Sequence, residues 1–380
     1  MSSIVRIPIS NVFTDGQYTG RVLVGPHQRP MNVILDTGSS AFAIDGHKYA
    51  PDLAGGDKST DLAQSDSYGD GSTWTGAVIQ TTVTLGDGAS SVKLRDANIS
   101  VAYTRSANMF RQADGILGLA YAPLDDAFKM PQDTWKHRYS STQVRAGQHT
   151  QIVPFLTQLQ QEGITSDKIA FLARRSFVHV GGGNAASDPL NQGLMIIGGG
   201  DESTDLYTPP LQTVKVVSDD WYSTVLKAVI VGNSPPISAR LQGPQGMPSN
   251  SIVDSGTNSL NLGPQMLQAI VSKFSGSQQE LLKQSMQGNL VSVNDLGDLS
   301  TWPTLTFVLQ GDAGDVSLDV PPSNYWQVNT DEVGKAKAAI EEGDPGLTVL
   351  GLPLMNGYFT IFDGEADNGR GVVKFAKLKS

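Results

Sequence analysis

Short apolar runs recur along the chain, and each is bounded by glycine, asparagine, aspartate or proline. They are rich in valine, isoleucine and leucine, which is typical of strands that end in tight turns. The clearest runs predict strands at residues 20–25, 31–35, 76–85, 92–94 and 98–103. Their spacing is that of a protein built mainly from packed sheets.

Helical periodicity is confined to few segments. Residues 153–162 read V-P-F-L-T-Q-L-Q-Q-E, with Pro154 at the start and Gly163 directly after. Residues 264–274 read P-Q-M-L-Q-A-I-V-S-K-F and also begin with proline. Proline favours the first turn of a helix and glycine its end, so both segments predict short helices. The fold class predicted is therefore mainly β.

One motif occurs twice. V-I-L-D-T-G-S-S contains Asp36, and S-I-V-D-S-G-T-N contains Asp254. Each is followed downstream by two aliphatic residues and a glycine, which end at Gly118 and Gly351. A chain of 380 residues exceeds the usual size of one hydrophobic core, so the repetition predicts two related lobes. The polar, turn-forming residues 201–210 are the expected boundary, which gives lobes of residues 1–204 and 205–380.

Composition and charge exclude several partners. The 41 glycines and 20 prolines suit a turn-rich β protein. A net charge of −10 opposes binding to nucleic acid or to anionic membranes. No apolar run approaches the ~20 residues that span a bilayer. The absence of cysteine excludes disulfides and suits a reducing compartment, so we expect a cytoplasmic protein, or a periplasmic or secreted one if a leader preceded it.

The paired aspartates suggest acid–base chemistry. A single D-T-G is usually a tight turn, but two copies in separate halves suggest two carboxylates that face each other. Two ionised carboxylates about 4 Å apart repel by about 4 kcal/mol at an effective dielectric of 20, so such a pair holds one proton between them. That state provides a general base for a water molecule and a general acid for a carbonyl oxygen. Amide hydrolysis then needs no metal and no cofactor.

The residues after each aspartate suit this role. The first hydroxyl is predicted to bond across to the opposite loop, the glycine to let the backbone pass under the carboxylates, and the second hydroxyl to bond the outer oxygen of its own aspartate. In chain order these residues are Thr37, Gly38 and Ser39, and Ser255, Gly256 and Thr257.

With further motifs the chain resembles the pepsin-like (A1) aspartic endopeptidases over nearly its whole length. These motifs are Y-G-D-G-S from Tyr68, A-D-G-I-L-G-L-A-Y ending at Tyr121, M-I-I-G-G from Met195, T-V-L-G-L-P-L from Thr348 and Y-F-T-I-F-D ending at Asp363. Their wording is most similar to memapsin (β-secretase) members, and the cysteine-free chain is similar to bacterial pepsin homologues. The resemblance implies a bilobal fold with pseudo-twofold symmetry, a central cleft and a β-hairpin flap, in which two carboxylates share a proton.

The resemblance also implies roles for individual residues. Asp36 and Asp254 match the catalytic pair, and Tyr68 matches the tyrosine of the flap, predicted here as a hairpin over residues 66–78. Backbone amides of Gly69 and Asp70 would bind the substrate main chain from above, and the backbone groups of Gly38, Gly256 and Thr257 would bind it from below. The expected pocket walls, with ordinary core as the alternative for each, are Ile34, Phe110, Ile116 and Leu117.

Partners follow from the same resemblance. An extended peptide or unfolded protein is the expected substrate, with bulky hydrophobic residues around the cleaved bond. Pepstatin-like compounds are the expected inhibitors, no metal or cofactor is expected, and the protein is expected to be a monomer.

One departure concerns the flap. The family usually has a tryptophan where Ala43 stands, and this tryptophan donates a hydrogen bond to the flap tyrosine. Tyr68 therefore needs another anchor or is held more loosely. Trp74 lies on the same hairpin and is a candidate for this anchor, although packing at the surface is the expectation we favour.

Other functions fit the sequence less well. The five histidines show no H-E-x-x-H pattern of a metal hydrolase, and no G-x-S-x-G of a serine hydrolase is present. A phosphatase with an aspartate nucleophile would leave the second motif unused. The main alternative is a catalytically silent pepsin-fold binding or inhibitor protein, which commonly lacks one aspartate or the flap tyrosine.

Overall fold

The computed structural model describes residues 2–14, 16–240 and 243–379, and strands dominate it. The strands of the first half are β1 Val5–Ser10, β2 Thr19–Val24, β3 Arg29–Asp36, β4 Phe42–Asp45, β5 Lys58–Ser67, β6 Thr73–Leu85, β7 Val92–Arg105, β8 Gly115–Gly118, β9 Asp126–Lys129, β10 Gln148–Gln151, β11 Lys168–Leu172 and β12 Gln192–Ile197. Those of the second half are β13 Tyr207–Lys215, β14 Ser223–Thr224, β15 Leu226–Val231, β16 Ile237–Ser238, β17 Ser251–Val253, β18 Leu260–Leu262, β19 Val291–Ser292, β20 Leu305–Gln310, β21 Asp315–Val320, β22 Trp326–Val328, β23 Lys335–Ala338, β24 Ile340–Glu342, β25 Thr348–Leu350, β26 Tyr358–Asp363 and β27 Val372–Leu378.

The helices are short. They are α1 Thr134–His137, α2 Ser141–Arg145, α3 Phe155–Gln161, α4 Pro264–Val271, α5 Gly276–Met286, α6 Val293–Leu296, α7 Pro322–Tyr325 and α8 Leu352–Met355. No helix in the described ranges is long and apolar enough to cross a bilayer.

The strands form one large sheet and three smaller ones within the part of the chain that the structure describes. The large sheet has fifteen strands in the order β10-β9-β5-β6-β7-β4-β8-β3-β2-β1-β12-β11-β26-β27-β13. The smaller sheets are β14-β17-β25-β18-β24, β16-β15-β20-β21 and β19-β23-β22. The predicted fold class, a mainly β and bilobal pepsin-like arrangement, is confirmed.

Strands from the two halves of the chain pair with each other within the large sheet. β11 pairs antiparallel with β26, from Lys168 opposite Asp363 to Leu172 opposite Phe359. Behind this pairing Phe171 packs edge-on against Phe362, with ring centroids 6.0 Å apart. These contacts join the two halves of the chain through buried side chains.

Most of the predicted elements are present. The runs at residues 20–25, 31–35 and 76–85 are strands β2, β3 and β6, and the runs at 92–94 and 98–103 belong to one continuous strand, β7. The predicted helices are α3 and α4. Helix α5 was not predicted because it buries only Leu282 and Ser285, too few positions to form an apolar stripe.

The expected boundary segment is only partly a loop. Residues 207–210, with two prolines, open strand β13, whose register against β27 shifts between Thr208 and Gln212. β13 lies at the edge of the large sheet, where a proline removes no ladder hydrogen bond. The division at residues 204 and 205 stays a prediction.

Candidate active site

Asp36 and Asp254 end matching strands in the two halves. Asp36 is the last residue of β3, which pairs in parallel with β8 so that Asp36 lies opposite Gly118. Asp254 directly follows β17, which pairs in parallel with β25 up to Val253 opposite Leu350. The repeated sequence pattern therefore folds into the same local structure twice.

The downstream glycines have a steric reason. A Cβ atom at Gly118 would lie 2.4 Å from the carbonyl carbon of Ser40, and one at Gly351 would lie 2.3 Å from the carbonyl oxygen of Thr257. Both distances are far below contact. Each glycine therefore lets the loop that carries the aspartate pass directly over the neighbouring strand.

Hydrogen bonds tie the two loops to each other. The Thr37 amide donates to the Ser255 hydroxyl at 3.0 Å, and the Ser255 amide donates to the Thr37 hydroxyl at 2.8 Å. Each hydroxyl then donates to a backbone carbonyl of the opposite half, Thr37 to Val253 and Ser255 to Leu35. The structure thus contains the cross-loop bonds that the sequence predicts, and they hold the carboxylates together against repulsion.

Each carboxylate is held at both oxygens. Gly38 N–H donates to Asp36 Oδ1 at 2.8 Å, and Gly256 N–H donates to Asp254 Oδ1 at 2.7 Å. The outer oxygens accept hydrogen bonds from the hydroxyls that the sequence predicts. Ser39 Oγ donates to Asp36 Oδ2 at 2.5 Å, and Thr257 Oγ1 donates to Asp254 Oδ2 at 2.6 Å. Because both glycine amides donate to the aspartates, only the carbonyl oxygens of Gly38 and Gly256 remain for a peptide main chain, and each already accepts one side-chain hydrogen bond. Substrate binding by these groups stays a prediction.

The electrostatics match a shared proton. Asp36 and Asp254 are 5% and 8% exposed and lie within hydrogen-bonding reach of each other. Burial, and next the charge of Asp254, raise the pKa of Asp36 well above its usual range, although the Ser39 hydroxyl lowers it. Such a pair keeps a proton at pH values where an exposed aspartate has lost its own.

The flap is the hairpin of β5 and β6, whose tip comprises residues 68–72. The amide of Tyr68 donates to the Ser72 carbonyl, and Gly71 turns with φ of 80°. Among the described residues, the amides of Gly69 and Asp70 donate to no protein atom. They are available to a peptide main chain, and their binding of substrate stays a prediction.

Trp74 anchors the flap tyrosine. Its indole Nε1 donates to the Tyr68 hydroxyl at 3.3 Å, and its side chain is 1% exposed. The expectation of surface packing is therefore wrong. Trp74 belongs to the buried cluster that contains Ala43, Ile34 and Ile116. This tryptophan of the hairpin therefore supplies the hydrogen-bond donor to Tyr68 that an alanine at position 43 cannot supply.

Trp74→Phe is expected to lower kcat/KM for peptide cleavage about tenfold, since it removes a hydrogen bond worth up to about 1.4 kcal/mol and frees the flap tyrosine. Tyr68→Phe removes the same bond from the other side. If the loss of this bond causes the effect, the double variant has about the same kcat/KM as the less active of the two single variants. Steady-state kinetics of the three variants at acidic pH test this, and additive losses would contradict it.

A cleft of about 800 Å³ runs between the flap and the two loops. Ile34 and Ile116, two of the residues expected as pocket walls, line it. Phe110 and Leu117 do not, and they are buried to 1% and 0% exposure, so the alternative of ordinary core describes them. In a strand, neighbouring side chains point to opposite faces. Because Ile116 faces the cleft, Leu117 points away from it.

Two further cleft residues lie outside the sequence motifs. Gln17 and Trp221 line the cleft, and each donates a hydrogen bond to the carbonyl of a glycine in one of the two aspartate loops. Neither lies in a motif of the loops. Their only sequence clue is that each directly precedes a tyrosine, Tyr18 or Tyr222.

Comparison with known proteins agrees with this geometry. The family model "Eukaryotic aspartyl protease" matches residues 17–144 and 185–377. Gastricsin of Cavia porcellus is 26% identical, over 95% of this chain and 80% of gastricsin. Rhizopuspepsin-2 of Rhizopus niveus is 25% identical, over 94% of this chain and 79% of that protein. A beta-secretase of Strongylocentrotus purpuratus is 25% identical, over 92% of this chain and 64% of that protein.

Proposed function

Because the chain belongs to the eukaryotic aspartyl protease family, we propose that Asp36 and Asp254 form its catalytic pair and cleave extended peptides at acidic pH. The protein is an aspartic-type endopeptidase that acts on peptide substrates. The observation that carries the assignment of residues is the meeting of two buried carboxylates from matching loops, each fixed at both oxygens.

In the proposed mechanism, the pair with one proton binds a water molecule between its carboxylates. The ionised carboxylate takes a proton from this water as the oxygen attacks the peptide carbonyl carbon. The protonated carboxyl donates its proton to the carbonyl oxygen, which gives a neutral tetrahedral diol. The carboxyl that is now protonated donates its proton to the amide nitrogen while the other carboxylate takes a proton from a diol hydroxyl. The C–N bond breaks to give a carboxylic acid and an amine, and the pair again holds one proton.

Substrate binding uses the groups around the pair. The free amides of Gly69 and Asp70 are suited to hold the peptide main chain from above. Ile34 and Ile116 give the nearby cleft wall apolar surface, which supports a preference for bulky hydrophobic residues beside the cleaved bond. The silent binding protein is the weaker alternative, since both aspartates, the loop hydroxyls and the flap tyrosine are all in place.

We extend the proposal to the finer properties that the sequence predicts. A pepstatin-like compound should inhibit by binding to the carboxylate pair. The monomeric state and the cytoplasmic location, or a periplasmic or secreted one, are tested by gel filtration and by cell fractionation.

A peptide-library digest between pH 3 and pH 7 tests the function. We expect cleavage that is strong in acid and declines toward neutral pH, because the shared proton is lost as pH rises through the raised pKa of Asp36. Pepstatin should block cleavage, and preparations of the Asp36→Asn variant show whether a contaminant contributes. Failure to cut any peptide at any pH would favour the silent binding protein.

A further inference from the structure

Two side chains hold the catalytic loops from across the cleft. Gln17 Nε2 donates to the carbonyl oxygen of Gly256 at 2.5 Å. Trp221 Nε1 donates to the carbonyl oxygen of Gly38 at 2.9 Å. Gln17 belongs to the half that carries Asp36, and it reaches the loop of Asp254; Trp221 does the reverse.

The two donors occupy equivalent positions. Gln17 lies two residues before Thr19, which opens β2 and pairs with Ile34, two residues before the first aspartate. Trp221 lies two residues before Ser223, which opens β14 and pairs with Ile252, again two residues before the aspartate. The same contact therefore arises twice from the same topology, although the donor is an amide in one half and an indole in the other.

Buried tyrosines fix the backbone beside each donor. Tyr18 directly follows Gln17, and its hydroxyl accepts from the amides of Arg174 and Arg175. Tyr222 directly follows Trp221, and its hydroxyl donates to the Leu119 carbonyl. Each donor therefore extends into the cleft from a rigid point.

The position of the accepting carbonyl indicates which part of the loop these bonds restrain. The glycine carbonyl belongs to the peptide group that links the glycine to Ser39 or to Thr257. On one side of this peptide group, the glycine N–H binds Oδ1 of the aspartate; on the other side, the hydroxyl binds Oδ2. A donor on this carbonyl therefore restrains the backbone between the two groups that orient the carboxylate.

We propose that Gln17 and Trp221 are positioning residues for the catalytic pair, each of which aligns the aspartate of the opposite half by holding the peptide group after its glycine. The proposal rests on the function proposed above. The bonds between Thr37 and Ser255 fix the start of each loop, and Gln17 and Trp221 fix its far end. Both ends of each loop are then tied to the other half of the molecule.

A residue that aligns the reacting groups affects the chemical step. Gln17→Met and Trp221→Phe keep most of the side-chain volume and remove the donor. We expect each to lower kcat about tenfold and to leave KM within about twofold of wild type, because a lost hydrogen bond of this kind costs about one power of ten.

Gln17→Glu provides a rescue that depends on pH. A protonated glutamate can donate to the Gly256 carbonyl, whereas an ionised one cannot and places a negative charge beside the carboxylate pair. At pH 3 we expect kcat of this variant to be near that of wild type. As pH rises, we expect its kcat to fall at a lower pH than kcat of wild type does, near the usual glutamate pKa of about 4.3. A purely structural role for Gln17 would not produce this change in the pH profile.

Matched controls exist outside the cleft. Gln28 Nε2 donates to the Gly25 carbonyl at 2.8 Å, and Trp302 Nε1 donates to the Leu296 carbonyl at 3.0 Å. Gln28→Met and Trp302→Phe remove the same kinds of bond, so they report the effect on folding alone, which thermal unfolding of all variants measures. We expect both controls to keep wild-type kcat.

The outcomes separate this proposal from the function on which it rests. An inactive wild type overturns the catalytic assignment itself. An active wild type whose kcat and pH profile are unchanged by Gln17→Met and Trp221→Phe overturns only the positioning role. A change confined to KM also overturns it, since the two residues would then be contacts of the substrate.

Discussion

Asparagine in place of Asp36 or of Asp254 is expected to lower kcat for peptide hydrolysis by about 10³- to 10⁴-fold, the upper range for loss of a general acid or base. The proposed reaction needs one carboxylate to accept a proton and one carboxyl to donate it. Asparagine has nearly the same shape but does neither. Either change therefore removes a proton carrier and leaves the loops in place.

Asp125→Asn is the matched control. Asp125 is a buried carboxyl outside the cleft lining, and burial raises its pKa to about 8, so it is neutral at the acidic pH of the assay. Its Oδ1 accepts from Gln64, which an asparagine oxygen can also do. We expect wild-type kcat for this variant, and kcat near wild type in either dyad variant would contradict the assignment.

Gly256→Ala is expected to lower kcat by about 10²-fold or more, the loss that a displacement of about 1 Å causes in an active site. A Cβ atom there would lie 2.2 Å from Asp36 Oδ1 and 2.7 Å from its Cγ. The loops cannot simply separate, because Thr37 and Ser255 bind each other across the contact. The added methyl group must therefore displace the Asp36 carboxylate.

The equivalent change in the first loop, Gly38→Ala, places a Cβ atom 2.8 Å from Asp254 Cγ and is expected to cost activity in the same way. Gly276→Ala is the control, since a Cβ atom at this first residue of α5 meets nothing within 4 Å. Steady-state kinetics of the three variants decide the matter. Unchanged kcat in Gly256→Ala would mean that the loops are not as close as the structure has them.

The two aspartate loops could be predicted from sequence because their hydrogen bonds follow from residues at fixed offsets. The roles of the residues after Asp36 and Asp254 follow from hydroxyls and glycines at fixed offsets, and the repetition of the motif supplies the partner for each. The same holds for β2, β3 and β6, whose apolar runs end at turn residues.

Contacts between distant segments could not be predicted in this way. Nothing near Trp74 in sequence shows that its strand is covered on both faces, so that its indole lies inside and reaches Tyr68. Whether Leu117 lies in the cleft depends on which face of β8 points toward the cleft. The roles of Gln17 and Trp221 follow only from the folded structure, in which the two halves share the same topology.

The most direct test of the shared proton is the titration of the Asp36 side chain by NMR of ¹³C-labelled carboxyl groups, in wild type and in the Asp254→Asn variant. The account predicts that Asp36 of the wild type titrates well above the usual aspartate range, and that this step moves down when Asp254 no longer carries a charge. Titration of Asp36 in the ordinary range, unchanged by the loss of Asp254, would contradict it.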